Sequence, residues 1–175
     1  MMTLTSLKKL LLLATALTIT SCTAILVETT GEQGISEDPT QRTAGARVED
    51  QSIETKVIVN MKSQESEFRK ANFNVISYNG VVLLVGQVAS NELKNKASEI
   101  ASQASTKIKR IHNELEVAGK TSLIARSNDT WIATKVRTRL LTDSGVPSGQ
   151  VRVIAENGAI YLMGLIDQGN GDNAA

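Results

Sequence analysis

The feature that most constrains this chain is that it contains one pattern twice. Asp50, Ile53, Thr55, Lys56 and Val57 recur in the same order and spacing as Asp129, Ile132, Thr134, Lys135 and Val136. With the offset shortened by one residue, Val75, Ile76, Asn79, Gly80, Leu84 and Gly86 recur as Val153, Ile154, Asn157, Gly158, Leu162 and Gly164. Two matching blocks in one order define a repeated unit. Whatever architecture the first copy adopts, the second is expected to follow.

Within the first copy, Ile53, Val57 and Met61 return every four residues, as one face of a helix does, and Asp50 or Ser52 is expected to cap that helix. Asn72–Tyr78 and Val81–Val88 flank Asn79-Gly80, a hairpin signal because both turn residues tolerate positive φ. Leu93, Ala97, Ile100, Ala101 and Ala104 then share one helical face behind Ser90 or Asn91 as a cap. Ile108, Ile111, Leu115 and Val117 predict a last strand, ending at Gly119. The order helix, strand, strand, helix, strand places the fold in the α/β class, as an α+β sandwich with helices on one face of the sheet. Val81, Leu83 and Val85 are apolar on the opposite face, so the other module or a partner is expected to cover it.

The second copy departs from the first. After Gly86 the first runs on to Val117, whereas the second passes soon after Gly164 into Gln168-Gly169-Asn170-Gly171-Asp172-Asn173-Ala174-Ala175. The expectation is one complete module and one C-terminally incomplete module, helix plus hairpin, followed by a polar, turn-rich tail. Such a half-module has little area to bury by itself, and its hairpin edge invites pairing.

The amino-terminal stretch reads as an address. Lys8 and Lys9 precede the apolar run Leu10 to Ile19, too short to span a bilayer, and Ile19-Thr20-Ser21-Cys22 closes it. That closing tetrad resembles the lipobox of bacterial lipoproteins, which implies that Cys22 becomes the lipidated first residue, palmitate included. An ordinary signal with an incidental cysteine is the other reading. Thr23, where Asp is the usual inner-membrane retention signal, resembles the outer-membrane sorting pattern. Thr23 to Arg47 carries Gly31, Gly34, Pro39 and Gly45 among polar residues and is read as a flexible tether. The expected divisions are a signal peptide over 1–21, a lipidated tether over 22–47, a first module over 48–118, a partial second over 126–166 and a tail over 167–175.

Composition excludes several chemistries. One Cys and one His leave no disulfide and no multi-cysteine or multi-histidine metal site. His112, with no second His or Cys beside it, reads as a strand or surface residue. Glu37-Asp38 and Glu49-Asp50 fall in the tether or at a helix start, which does not support paired-carboxylate catalysis, and no glycine-rich loop has phosphate-cradling spacing. Without Lys8 and Lys9 the chain is nearly neutral, and aromatics are 3%, so nothing draws nucleic acid. The chain is read as no enzyme, with no cofactor, no metal and no small-molecule substrate.

Any binding must come from a local patch, and the helix of the second copy offers one. At about 100° per residue from Trp131, Ile132, Val136, Leu140 and Ala133 form the face toward the sheet. Trp131 and Leu141 fall off that face, alongside Lys135, Arg137 and Arg139, and no acid lies between Trp131 and Leu141. An outward Trp and Leu among cations suit the interface of an anionic membrane. The competing reading packs Trp131 on the first module and leaves the cations solvated. Lys107, Lys109 and Arg110 form a smaller basic cluster, read as a solvated turn.

A helix with an early Asp and Ile, an aliphatic strand, Asn-Gly, an aliphatic strand with an internal Gly, and an Ala-rich helix: in this order the module resembles the BON domain of bacterial envelope proteins. The tandem behind a lipobox, with Asp129-Thr130-Trp131-Ile132 opening the second copy, is similar to outer-membrane lipoproteins that carry two BON domains. The resemblance spans Cys22 to about Ile166. It implies a lipoprotein held in the outer membrane by Cys22 and facing the periplasm. It further implies anionic phospholipid binding through Trp131, Lys135, Arg137, Arg139 and Leu141, a contribution to envelope integrity and enrichment at division sites. The alternative is a lipid-anchored adaptor that grips envelope or division proteins without recognising lipid.

Overall fold

The computed structural model describes residues 38, 40–119, 122–142, 145–166 and 168–174; Cys22, the signal segment and the tether as far as residue 37 lie outside them. From residue 40 onward the described residues belong to one unit.

The first copy opens with helix α1 (Ala44–Gln64), whose amino end is capped by Thr43, its hydroxyl accepting from Ala46 N. The cap therefore falls on Thr43 and not on Asp50 or Ser52, where the local pattern predicts it. Asp50 lies inside the helix, 3% exposed, and has a different task. A short helix α2 (Glu67–Lys70) follows and inserts Phe68 into the core. Strands β1 (Asn72–Tyr78) and β2 (Val81–Val88) pair antiparallel with Tyr78 opposite Val81 and Phe73 opposite Gly86. Asn79 and Gly80 take φ of 51° and 80°, both positive as a two-residue hairpin turn of primed type requires. Helix α3 (Asn91–Ala104) starts at Ser90, whose hydroxyl accepts from Leu93 N, and leads to β3 (Arg110–Val117), parallel to β2. The sheet order is therefore β1-β2-β3 with β2 central.

One face of this sheet packs on α1 and α3. Ile53, Val57 and Met61 meet Val82, Leu84, Val88, Leu93, Ala97, Ile100 and Leu115 in a single cluster, where each fully buried aliphatic chain contributes roughly 1.5–3 kcal/mol. Gly86 is required where β2 crosses β1. Its φ is +119°, and a Cβ there would run into the Asn72 carbonyl oxygen and sit 2.6 Å from Phe73 Cα.

The Asp50 carboxylate clasps the hairpin. Oδ1 accepts from Gly80 N (2.9 Å) and Ser77 Oγ (2.7 Å), and Oδ2 accepts from Asn79 N (2.8 Å) and Arg42 Nη1 (2.9 Å). Burial alone would raise this carboxyl, but the donors from Gly80, Ser77, Asn79 and Arg42 together hold it below its ordinary value. Its neighbour Glu54 accepts from Ser77 N at 2.9 Å, so the helix and the hairpin end are stapled twice.

The second copy repeats the plan with helix α4 (Leu123–Thr142), a 3₁₀ turn (Ser148–Gln150), and strands β4 (Val151–Glu156) and β5 (Ala159–Gly164), which pair antiparallel. Asn157 and Gly158 reproduce the φ values of 51° and 80°. Asp129 reproduces the clasp, accepting from Asn157 N at 2.9 Å and Gly158 N at 2.8 Å. Among the described residues this sheet has two strands.

The tail, expected to be turn-rich, carries a helix, α5 (Gln168–Ala174), close to the repeat position at which α3 begins in the first copy. Two glycines and seven residues would not sustain a helix in isolation. Ala174 packs against the second core of Ala133, Leu140, Val146 and Val153, and this tertiary contact supplies the support.

The outer face of the first sheet is covered by the second copy. Ile76, Leu83 and Val85 are buried against Ile154, Tyr161 and Met163 of β4 and β5. Polar ties frame that contact. Arg152 Nη1 bonds Glu54 Oε1 at 2.8 Å, and the buried Glu156 accepts from Gln87 (3.0 Å) and Asn74 (3.3 Å). Tyr78 Oη donates to Gln150 O at 2.5 Å, and Asn157 Nδ2 to Glu116 Oε2 at 2.7 Å. The half-module rests on the first sheet rather than standing by itself.

Candidate membrane-facing site

Helix α4 begins at Ser122, whose hydroxyl accepts from Ala125 N. Ala133 and Leu140 are buried, with Val136 partly buried beside them, and this face meets β4 at Val153. Along another line Thr130, Thr134, Thr138 and Thr142 each return a hydroxyl to the carbonyl four residues earlier, at 2.8–3.3 Å. These bonds satisfy the hydroxyls locally and leave the outward surface to its apolar and cationic side chains.

Trp131 is 58% exposed and Leu141 71%. The structure thus turns the indole outward and does not pack it on the first module. Lys135 Nζ stands over the indole, 4.2 Å from the ring centroid, a cation–π contact one helical turn along. Arg139 is exposed on the same helix. Arg137 departs from the expected arrangement: its Nη2 donates to Val153 O at 2.8 Å, so the guanidinium is held on the β4 flank. Of the five residues singled out, Trp131, Lys135, Arg139 and Leu141 remain outward without a bond to the sheet.

One residue escaped the sequence reading. Ile124 is 83% exposed, seven residues before Trp131 and therefore on the same side of the helix two turns earlier. Its spacing from Trp131 was the available signal. The acid of α4 is Asp129, buried and committed to the Asn157-Gly158 turn, so its carboxylate does not offset Arg126, Lys135, Arg137 and Arg139 at the surface. The helix presents a broken apolar ridge of Ile124, Trp131 and Leu141 set among cations.

The arrangement presents apolar and cationic groups of the kind that adsorb at a surface. Among the described residues no group of three or more His, Cys, Asp or Glu is placed to hold a metal ion, and no helix is long and apolar enough to cross a membrane. His112 is exposed on β3.

Comparison with known proteins adds two kinds of likeness. The BON domain family model matches residues 49–119 and again 128–172. The chain is 33% identical over 176 residues to the outer membrane lipoprotein DolP of Haemophilus influenzae, covering 99% of this chain and 90% of that one. It is 34% identical over 134 residues to a 21 kDa hemolysin of Actinobacillus pleuropneumoniae, covering 77% of this chain and 69% of the relative.

Proposed function

The chain belongs to the BON-domain family, and on that premise we propose that it is an outer-membrane lipoprotein which binds anionic phospholipid through the outward face of α4 and so supports envelope integrity, with action at division sites. The compartment follows from the lipobox-like Ile19-Thr20-Ser21-Cys22 and from the relative whose name says outer membrane lipoprotein. Acylated at Cys22, the body is held at the membrane surface on the periplasmic side, and several acyl chains at roughly 0.8 kcal/mol per buried methylene make that anchoring stable. It carries out no reaction.

The observation that carries the lipid reading is the exposure of Trp131 on a helix whose acid is turned inward. An indole settles at headgroup depth, where its ring is apolar and its N–H still finds a partner. Ile124 and Leu141 add apolar area, and each cation close to an anionic surface contributes ~1 kcal/mol. With the anchor already holding the protein nearby, weak adsorption suffices to orient it.

The test is a titration of the part from Thr23 onward, shown to be folded by circular dichroism, with vesicles of neutral or anionic lipid while Trp131 fluorescence is followed. A blue shift with anionic vesicles alone, weakened when Lys135 and Arg139 are neutralised together, is the expected outcome, and vesicle sedimentation is expected to show lost binding in Trp131→Ala, which carries no other tryptophan to report it. No response at low salt rejects lipid recognition and leaves the adaptor reading. Mass spectrometry of the mature protein checks the anchor: an unmodified Cys22 rejects it.

A further inference from the structure

The two copies differ along one strand edge. In the first, β2 carries β1 on one side and β3, parallel to it, on the other, and the ladder closes with Ala118 N donating to Val88 O at 3.1 Å. In the second, β5 pairs with β4 by one edge, and among the described residues its other edge has no partner strand. The repeat sets Ile160, Leu162 and Gly164 where Val82, Leu84 and Gly86 stand in β2. Counted from the two-residue turn, the antiparallel ladder uses Ala159, Tyr161 and Met163, so the backbone N–H and C=O groups of Ile160, Leu162 and Gly164 point to the open side, as those of Val82, Leu84 and Gly86 point to β3. Neither a charge nor a proline in β5 blunts this edge.

A groove of about 510 Å³ runs along it. Residues 160–165 form one wall in unbroken succession, and Leu83 of β2, Lys109, and His112 and Glu114 of β3 form the floor. Side chains of a strand alternate between its faces, so an unbroken run means that the groove follows the backbone edge. It is continuous with the contact that joins the copies, since Leu83, Tyr161 and Met163 belong to both. Two bonds fix its direction. Asn157 Nδ2 donates to Glu116 Oε2, so β5 begins above the end of β3. Gly164, opposite Val151, lies beside Gln150, whose carbonyl accepts from the Tyr78 hydroxyl, so β5 ends near Lys109, above the start of β3. The floor therefore passes from Glu116 and Glu114 under the first part of β5 to Lys109 under its last residues.

We propose that this groove takes an extended segment of a protein partner, added to β5 as a parallel third strand in the way that β3 is added to β2. The first copy shows what covers this position in the fold: a strand that turns Ile111 and Leu115 toward the helices and leaves His112, Glu114 and Glu116 outside. Main-chain bonds to Ile160, Leu162 and Gly164 supply affinity, and alternate side chains supply selection. Charge sets the polarity. A parallel segment lays its amino end over Glu114 and Glu116 and its carboxyl end beside Lys109, so it carries bases first and acids after. The stretch from Lys109 to Ala118 has that order, with Lys109 and Arg110 ahead of Glu114 and Glu116. This site lies on β5 and not on α4, and it stands whether or not α4 binds lipid.

The probe is a synthetic peptide with the sequence of residues 109–118. The full chain, ¹⁵N-labelled and held in non-ionic maltoside micelles, is titrated with it while the amides of Ile160, Leu162 and Gly164 are followed by NMR and hydrogen exchange. Saturable shifts centred on these three amides, with their exchange slowed at saturation, support the proposal. Within β3 the nitrogens in step with Ala118, those of His112, Glu114 and Glu116, face the paired strand, whereas Leu115 N donates to the Asn113 side chain. Peptide methylated on the first set of nitrogens is expected to bind about tenfold more weakly or worse, and peptide methylated on those of Ile111, Asn113 and Leu115 to bind nearly as well as the parent. That comparison alters the peptide alone, so it does not depend on how a protein variant folds. A peptide of reversed sequence, whose charges meet their like, is expected to bind more weakly. Silence with the forward peptide, or equal loss from the two methylation patterns, overturns the proposal. So does a dimer in sedimentation with the three amides already protected, which would assign the edge to a second copy, and so do shifts with phosphatidylglycerol in place of peptide, which would make the groove a lipid site. Trp131→Ala is expected to abolish vesicle binding and to leave the peptide response unchanged.

Discussion

Asp50 and Asp129 show how one side chain can make a repeat visible before its purpose is. Their recurrence was plain in the sequence, where an acid at the start of an apolar helical pattern reads as a cap. Folding put α1 seven residues earlier, starting from Ala44, and left Asp50 on a buried turn of helix facing the hairpin. Its carboxylate holds the two amide N–H groups that a primed turn directs away from the sheet, and Asp129 does the same for its own turn. That partner lies some thirty residues away in the chain, and no local rule connects the two; what was available was that Asp and Asn-Gly recur together in both copies. Because the folded Asp50 carboxyl is held below its ordinary value of 3.8, its contribution is fully present above that value and is lost as pH falls through the lower, folded value. Asp50→Asn is expected to destabilise the first module by about 2–4 kcal/mol at neutral pH. Chemical denaturation from pH 7 down to pH 2 checks it: the variant should lose less stability across the acid limb than the parent, and equal losses would count against the clasp.

At the scale of the element, α4 was legible in its inner face and incomplete in its outer one. Ala133, Val136 and Leu140 point to the second core as the 3.6-residue period requires, and Trp131 and Leu141 stand outward. Angle alone could not say that Arg137 would bend back to the Val153 carbonyl, since a long guanidinium reaches a flank that its Cα does not face. Ile124 lies outside the basic, acid-free stretch that begins after Asp129, so the charge pattern does not point to it. Ile124→Ser is expected to weaken partition onto anionic vesicles about fivefold, a loss of part of one side chain's burial. Neutralising Lys135 or Arg139 should cost ~1 kcal/mol each at low salt and little at high salt. Arg137→Gln should instead lower the stability of the second copy while changing vesicle affinity less than either. Partition measured by vesicle sedimentation across a salt series, beside thermal unfolding, separates these cases.

For the molecule as a whole, the question is what supports a helix and two strands that cannot bury enough surface alone. The answer is the outer face of the first sheet, where Leu83 and Val85 meet Tyr161 and Met163 while Arg152 and Glu156 tie the rim. Leu83→Asp places a charge in that contact and faces away from the core of Ile53, Val57 and Leu115. It is expected to weaken the docking by several kcal/mol. Limited proteolysis should then release the second copy while a fragment ending near Gly119 persists; loss of both halves together would show that they fold as one cooperative unit. The sequence by itself determined the repeat, the bounds of β1 and β2, the hairpin turns and the inward faces of the helices. These follow from periodicity and turn chemistry, which act over a few residues. Only the tertiary structure decided that the apolar outer face of one copy is closed by the other, that Asp50 is a clasp, that the tail is helical against Ala133 and Leu140, and that β5 walls a groove floored by His112 and Glu114. Each of these depends on groups distant in the chain, brought together by burial of apolar surface that carries no directional mark in the sequence.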